Sequence, residues 1–139
     1  MKFNDNGEIV DPEFHDGNLT GIRITKKSLQ LYLTTIDSKN FIITISDIVR
    51  IRVNNFLEGN IIFDITVYKN TLCQEEKLKI LYGYNEEQAA KHLPANLRDI
   101  ANKKLSLLEL GSSYGCELLV LFSGLIQIED ERTNSTGQP

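Results

Sequence analysis

Apolar residues alternate with polar ones along much of the first half of this chain, and that alternation limits what it can fold into. In residues 28–34, Leu29, Leu31 and Leu33 share one phase, and Gln, Tyr and Thr follow them in turn. A repeat of two is typical of a β-strand with one buried face. The same repeat, rich in β-branched residues, predicts further strands at residues 19–25, 41–45, 47–53 and 61–68.

Two of these strands carry a definite expectation about which side chains share a face. In residues 47–53, Val49, Ile51 and Val53 are predicted to face the core, whereas Arg50 and Arg52 share a solvent-exposed side. One phase of residues 61–68 consists of Ile61, Phe63, Ile65 and Val67.

The period changes from two to helical spacing after residue 84. Asn85, with Gln88 three residues later, matches a helix capping box, so a helix is expected within residues 86–102. Pro94 is expected to break it near residues 92–94, because proline lacks the N–H that the helix needs. The preceding residues 78–82 are predicted to form a short strand.

Two strands are expected after the helix. Residues 106–110 lead into a predicted turn that contains Gly111 and Gly115. Residues 117–128 are apolar in both phases, which predicts a strand covered on both faces, with a bend at Gly124.

These elements together predict the fold class. The chain is expected to be α+β and mainly antiparallel β, a single domain of about seven or eight strands with one helical segment late in the chain. The length of 139 residues suits one domain, and 41% hydrophobic with 24% charged residues is ordinary for a globular protein. Residues 1–129 form the predicted domain, and residues 130–139 are predicted to be a flexible C-terminal tail.

Charge and hydropathy exclude several classes of partner. The net charge is -4 and no basic run occurs, so no nucleic acid is expected as a partner. No apolar stretch is long enough for a membrane span or a signal peptide, so no membrane partner and a cytoplasmic location are predicted. Cys73 and Cys116 are far apart and are predicted to be free thiols rather than a disulfide framework.

The adjacent pair His15 and Asp16 is the most unusual local group. The two side chains could bind a metal or share a proton, which would suit a metal-binding or hydrolytic enzyme. The alternative is structural: Asp16 closes a turn into Gly17, and His15 packs locally. The only other histidine is His92, so no metal site, cofactor or catalytic residue is predicted.

Two sets of surface residues are candidates for partner binding. Glu8, Asp11 and Glu13 lie in an acidic N-terminal segment that could face a basic protein. Exposed tyrosines and arginines on the polar phases of the strands form the second set, which comprises Tyr32, Arg50, Arg52 and Tyr68.

The segments FHDGNLTGIRI, SDIVRIRVNNFLEGNIIFDITVY and SSYGCELLVLFSGLIQIE resemble a loose group of small bacterial proteins that begin with FHDxxLxxI. Some of these resemble immunity proteins encoded beside polymorphic toxins. The resemblance covers most of residues 14–129 and implies a protein partner, a toxin, with no catalytic residues. A non-catalytic binding protein is therefore the first hypothesis. A structural or oligomerisation module and an enzyme using His15 and Asp16 are the alternatives, and the oligomeric state is left open.

Overall fold

A computed structural model describes residues 1–69 and 74–131, which form a single α+β domain. Its two helices are α1 (Glu75–Tyr82) and α2 (Glu86–Asn102). The strands of the described residues are β1 (Lys2–Phe3), β2 (Ile9–Asp11), β3 (Asn18–Thr25), β4 (Ser28–Thr34), β5 (Asn40–Ile45), β6 (Ile48–Asn54), β7 (Ile61–Tyr68), β8 (Ser106–Tyr114), β9 (Glu117–Phe122) and β10 (Ile126–Asp130). The predicted fold class is confirmed, with more strands and one more helix than expected.

The eight larger strands form one antiparallel sheet in the order β10-β5-β4-β3-β7-β8-β9-β6. The sheet folds into two halves, β10-β5-β4-β3 and β7-β8-β9-β6, which are joined between β3 and β7 by the pair Asn18↔Ile61. Apolar side chains of both halves meet in one core that includes Leu31, Ile43, Ile65 and Val120. The architecture is therefore a sandwich of two half-sheets around a shared interior.

A paired crossover holds the far side of the sandwich together. β5 continues into β6 and β9 continues into β10, so each long segment contributes to both half-sheets. Ser46 N–H donates to Leu125 O, and Ser123 N–H donates to Asp47 O, both at 3.0 Å. Gly124 lies at this point, which confirms the predicted bend and divides residues 117–128 into two strands.

Both helices pack on the outer face of β8 and β9. Leu78, Leu93 and Ile100 of the helices meet Leu119 and Leu121 of β9 in a second apolar cluster. The other side chains of β9 point into the sandwich core, so this strand is covered on both faces, as predicted.

The capping box at Asn85 is confirmed, but the break near Pro94 is wrong. The Gln88 N–H donates to the Asn85 side chain at 2.8 Å, and the Gln88 side chain accepts from the Asn85 N–H at 3.0 Å. α2 then runs without interruption, with Pro94 inside it. Leu93 and Ile100 are buried on either side of Pro94, and this packing offsets the missing hydrogen bond.

Residues 78–82, predicted as a strand, belong to helix α1. Leu78 and Leu81 are three residues apart, and both are fully buried on one face. Gly83 has a left-handed φ of 70°, and it ends the helix with bonds from Gly83 N to Ile80 O and from Tyr84 N to Lys79 O. Apolar spacing over so few residues did not distinguish a short helix from a short strand.

Bulges change the phases that strict alternation predicted. β7 shifts register against β8 at two places, so Ile62 and Ile65 are buried, whereas Phe63 is 56% exposed. A shift between Ile48 and Arg50 likewise leaves Val49 exposed at the edge of the sheet rather than in the core. Val53 keeps the phase of Ile51, which packs against the core, and is 37% exposed near the end of the strand. An extra residue on one strand of a pair reverses the side chains beyond it.

The last strands differ from prediction in their lengths. β8 continues through Gly111 to Tyr114, and the turn is confined to Gly115 and Cys116, with Gly115 at a φ of 87°. Asp130, placed by the sequence at the start of a tail, pairs with Phe41 in β10. The rest of the predicted tail, residues 132–139, and Cys73 lie outside the described residues.

Candidate functional site

The buried amide of Asn60 fixes the loop between β6 and β7. Its Oδ1 accepts from Leu57 N–H and Cys116 N–H, both at 2.9 Å. Its Nδ2 donates to Leu19 O at 3.1 Å and to Leu57 O at 2.9 Å. With only 2% of its surface exposed, Asn60 ties this loop rigidly to β3 and to the start of β9.

Exposed apolar side chains surround this anchor. Ile61 and Phe63 point away from the core on β7, beyond the part of the sheet that the helices cover, and Tyr114 pairs with Ile61 from β8. The loop next to Asn60 adds Phe56 and Leu57. We name this group the apolar surface; its members are between 37% and 56% exposed, and they are Phe56, Leu57, Ile61, Phe63 and Tyr114.

His15 borders the apolar surface at Phe63. Its Nδ1–H donates to Phe63 O at 2.8 Å, and the two rings meet edge to face at 5.6 Å. The hydrogen bond to Phe63 O, then the Asp16 carboxylate 3.6 Å from Nε2, raise the pKa of His15 above 6.5. The neighbouring backbone N–H, that of Asp16, donates to Ile62 O. The His15 side chain therefore adds one more hydrogen bond to those between this segment and β7.

Several carboxylates lie close to His15. Glu8, Glu13 and Asp64 line a recess of about 100 Å³ together with His15 and Phe63. Burial, followed by the charge of Glu109, raises the pKa of Asp64. Together with Asp16, these groups give the apolar surface an acidic rim, composed of Glu8, Glu13, Asp16 and Asp64.

The structure divides the predicted acidic patch. Glu8 and Glu13 belong to the rim beside Phe63. Asp11 lies instead in a wide groove beside Asp37, and Glu13 stands between this groove and the rim.

The predicted tyrosine and arginine set does not form one surface. Tyr32 lies on β4, where its hydroxyl donates to Gln30 at 3.0 Å. Tyr68 lies on β7, and its hydroxyl donates to Glu109 at 3.3 Å. Burial, then the Glu109 charge, raise the pKa of Tyr68 to about 12.

Arg50 and Arg52 instead stand near the C-terminal end of α1. Arg50 Nε donates to Leu81 O at 3.3 Å, and its guanidinium lies 4.8 Å from the centre of the Tyr82 ring. A cation at this position is favourable because the last carbonyls of a helix carry partial negative charge. Arg52 reaches the same helix end beside Gly83.

His15 and Asp16 are the residues for which the sequence suggests metal binding or hydrolytic chemistry. In residues 1–69 and 74–131, no three His, Cys, Asp or Glu side chains come together as a metal site would require. Cys116 is fully buried, and burial raises the pKa of its thiol to about 11, so the thiolate is scarce at neutral pH. The described part of the chain therefore offers no activated nucleophile at this cysteine.

Sequence reasoning missed the apolar surface. Phe63 was assigned to one phase with the buried Ile65, and the two bulges of β7 separate them. Nothing in the sequence indicates the role of Asn60, because two of its four side-chain hydrogen bonds join it to Leu19 and Cys116, which are far away in the chain. Short polar residues at a turn give no signal for such tertiary bonds.

Comparison with known proteins identified no relative: no family model, no curated protein and no solved structure matched the chain. In the part of the chain that is described, no helix is long and apolar enough to cross a membrane.

Proposed function

We propose that this chain is a non-catalytic binding protein whose apolar surface and acidic rim bind a basic partner protein. The observation that carries the proposal is the group of large apolar side chains around Asn60, which includes Phe63 at 56% and Tyr114 at 50% exposure. Contiguous exposed apolar patches with polar edges mark protein interaction sites. Aromatic side chains are the residues that most often dominate binding energy at such sites.

The rigidity of the apolar surface supports the same proposal. The Asn60 side chain bonds both the N–H and the C=O of Leu57. The pairing of β7 with β8 holds Ile61 and Tyr114 in place. Residues held in place before binding lose less conformational entropy on association.

The charge of the rim indicates the chemistry of the partner. Glu8, Glu13, Asp16 and Asp64 border the apolar surface, and His15 is the single basic side chain among the residues of this recess. Opposite charges steer association and select partners. On the FHDxxLxxI resemblance, we propose a bacterial toxin with a basic surface as the partner, neutralised in the cytoplasm by this protein as an immunity-type inhibitor.

Affinity capture from a lysate of the source organism tests the proposal. The tagged chain is expected to retain one stoichiometric partner through a salt wash. The double variant Phe63→Ala with Tyr114→Ala should weaken binding by about a hundredfold, because two aromatic anchors at such a site contribute about 3 kcal/mol. A matched control removes exposed apolar side chains elsewhere, with Ile24→Ala and Leu125→Ala. Equal capture by the double variant and the control would refute the proposed site.

An oligomerisation module is a second candidate, because a second copy could cover the same apolar surface. Light scattering during size-exclusion chromatography, over a range of concentrations, separates the two. A dimer that the Phe63→Ala and Tyr114→Ala changes dissociate would support self-association, whereas a monomer at every concentration excludes it.

A further inference from the structure

We propose that the outer edge of β6 binds an extended acidic segment of a partner protein, which adds to the sheet as a further strand. This site is separate from the apolar surface and does not depend on the function proposed for it. Strand addition at an exposed sheet edge is a general mode of peptide recognition.

The backbone of β6 is available for such pairing. β6 ends the order of the eight-stranded sheet and, among the described strands, pairs with β9 alone. Its outer side is joined to the β3–β4 hairpin by one bond, from Ile48 N–H to Lys27 O at 2.9 Å. Beyond that bond, residues 49–54 present the edge of a seven-residue strand, which is long enough to pair with a short extended peptide.

The side chains of β6 give this edge two different faces. Arg50 and Arg52 lie opposite Leu121 and Leu119 of β9, on the face that the helices cover. The opposite face carries Ile51 and, at 37% exposure, Val53. An added strand that alternates acidic and apolar residues would place its acidic side chains on the face of the two arginines and its apolar side chains on the face of Ile51 and Val53.

Cations concentrate around this edge. The segment from residue 17 to residue 36 contains no Asp or Glu, and its hairpin residues Lys26 and Lys27 lie beside the start of β6. The carboxylates Asp47 and Glu117 stand at the two ends of the strand. In the described residues, no carboxylate lies within ion-pair distance of the two lysines or of Arg50 and Arg52. These four cations, without an ion-pair partner among the described residues, outnumber the two carboxylates and favour an acidic ligand.

A second copy of this chain fits the edge poorly. Antiparallel pairing of two β6 strands about Ile51 would place Arg50 of one copy opposite Arg52 of the other. Like charges directly opposite each other destabilise a strand pair. Arg50 is also held by the Tyr82 ring and Leu81 O, so it cannot turn away without losing those contacts.

A seven-residue peptide in which glutamate alternates with valine tests the proposal, with binding measured by calorimetry. Two further peptides carry N-methyl groups, one on the glutamate amides and the other on the valine amides. Only one set of amides faces β6 in an added strand. We expect one methylated peptide to bind at least about tenfold more weakly and the other to bind almost as well as the parent. Equal binding by both would overturn strand addition.

Protein variants test the charges. Lys26→Gln with Lys27→Gln should weaken binding several-fold and reduce its dependence on salt, and Arg52→Gln should do the same. The matched control is Lys91→Gln with Lys103→Gln, two exposed lysines of α2 and its C-terminal end. Amide hydrogen exchange should show new protection within residues 49–54 when the peptide is bound.

Three other results would overturn the proposal. They are equal binding of a peptide that alternates lysine with valine, absence of binding at millimolar peptide, and self-association of the protein that the peptide displaces. The Phe63→Ala and Tyr114→Ala variant should bind the peptide as well as the unaltered protein, so failure here is distinguishable from failure at the apolar surface.

Discussion

Replacing Asn60 with alanine should destabilise the protein strongly. The side chain is 2% exposed and makes four hydrogen bonds, to the N–H of Leu57 and Cys116 and to the C=O of Leu19 and Leu57. Alanine fills the backbone position without strain but leaves all four of these groups without their partner. Water could reach the two groups of Leu57, whereas those of Leu19 and Cys116 are buried.

The expected loss follows from the groups left unpaired. Each buried polar group without a partner costs about 1–3 kcal/mol, and the partly accessible groups cost less. The two buried groups give about 3 kcal/mol, and the two groups of Leu57 bring the total to about 3–4 kcal/mol. A loss of this size is a large part of the roughly 5–15 kcal/mol that stabilises a typical domain.

Urea unfolding followed by circular dichroism measures the loss. The control is Asn102→Ala at the exposed end of α2, which should change the free energy of unfolding by less than about 0.5 kcal/mol. If Asn60→Ala lowers the free energy of unfolding by less than about 1 kcal/mol, the bonds at Asn60 do not hold the loop as described.

The variant Asn60→Asp adds a test of sign. One carboxylate oxygen can still accept from the two N–H groups, but the other faces the carbonyls of Leu19 and Leu57. The protonated acid can donate there, so the folded state raises the pKa of the new carboxyl. The variant should therefore become more stable as pH falls and less stable as pH rises through that pKa. A variant whose stability does not depend on pH in this way would contradict the assigned orientation of the amide.

Three further predictions concern single titrating groups. The bond to Phe63 O raises the pKa of His15 above 6.5, so the contribution of His15 to stability is full below pH 6.5 and declines as pH rises through the raised pKa. His15→Gln should abolish this dependence, which urea unfolding from about pH 5 to 8 measures. Tyr68→Phe should remove an ionisation at about pH 12 from the absorbance titration at about 295 nm, because burial and Glu109 raise that pKa to about 12. Cys116 should resist alkylation at about pH 8 until the protein unfolds, because its thiol is buried with a pKa of about 11; rapid labelling of the native protein would contradict this.

Some elements could be predicted because their signals lie close together in the chain. β4 alternates Leu29, Leu31 and Leu33 over seven residues, and the structure buries all three. The capping box at Asn85 needs only two residues, and α2 starts at Glu86, as the box predicts. These features depend on the local period of the backbone, which the sequence alone specifies.

Other features depend on contacts between distant segments. Leu78 and Leu81 could have belonged to a strand, and packing against β9 selected the helix. The candidate site has the same origin, because Phe63 turns outward only where β7 bulges against β8.

The sequence by itself therefore determined the class of fold, the late helix, the strand covered on both faces, and the acidic character of the N-terminal segment. The tertiary structure decided which apolar side chains reach solvent and where charges of one sign gather. A one-residue bulge reverses the faces of a strand, and the amide of Asn60 gains its buried partners at Leu19 and Cys116 only when distant segments have come together. Neither effect leaves a repeating pattern in the chain, because each is specified by the pairing of segments that are far apart in the sequence.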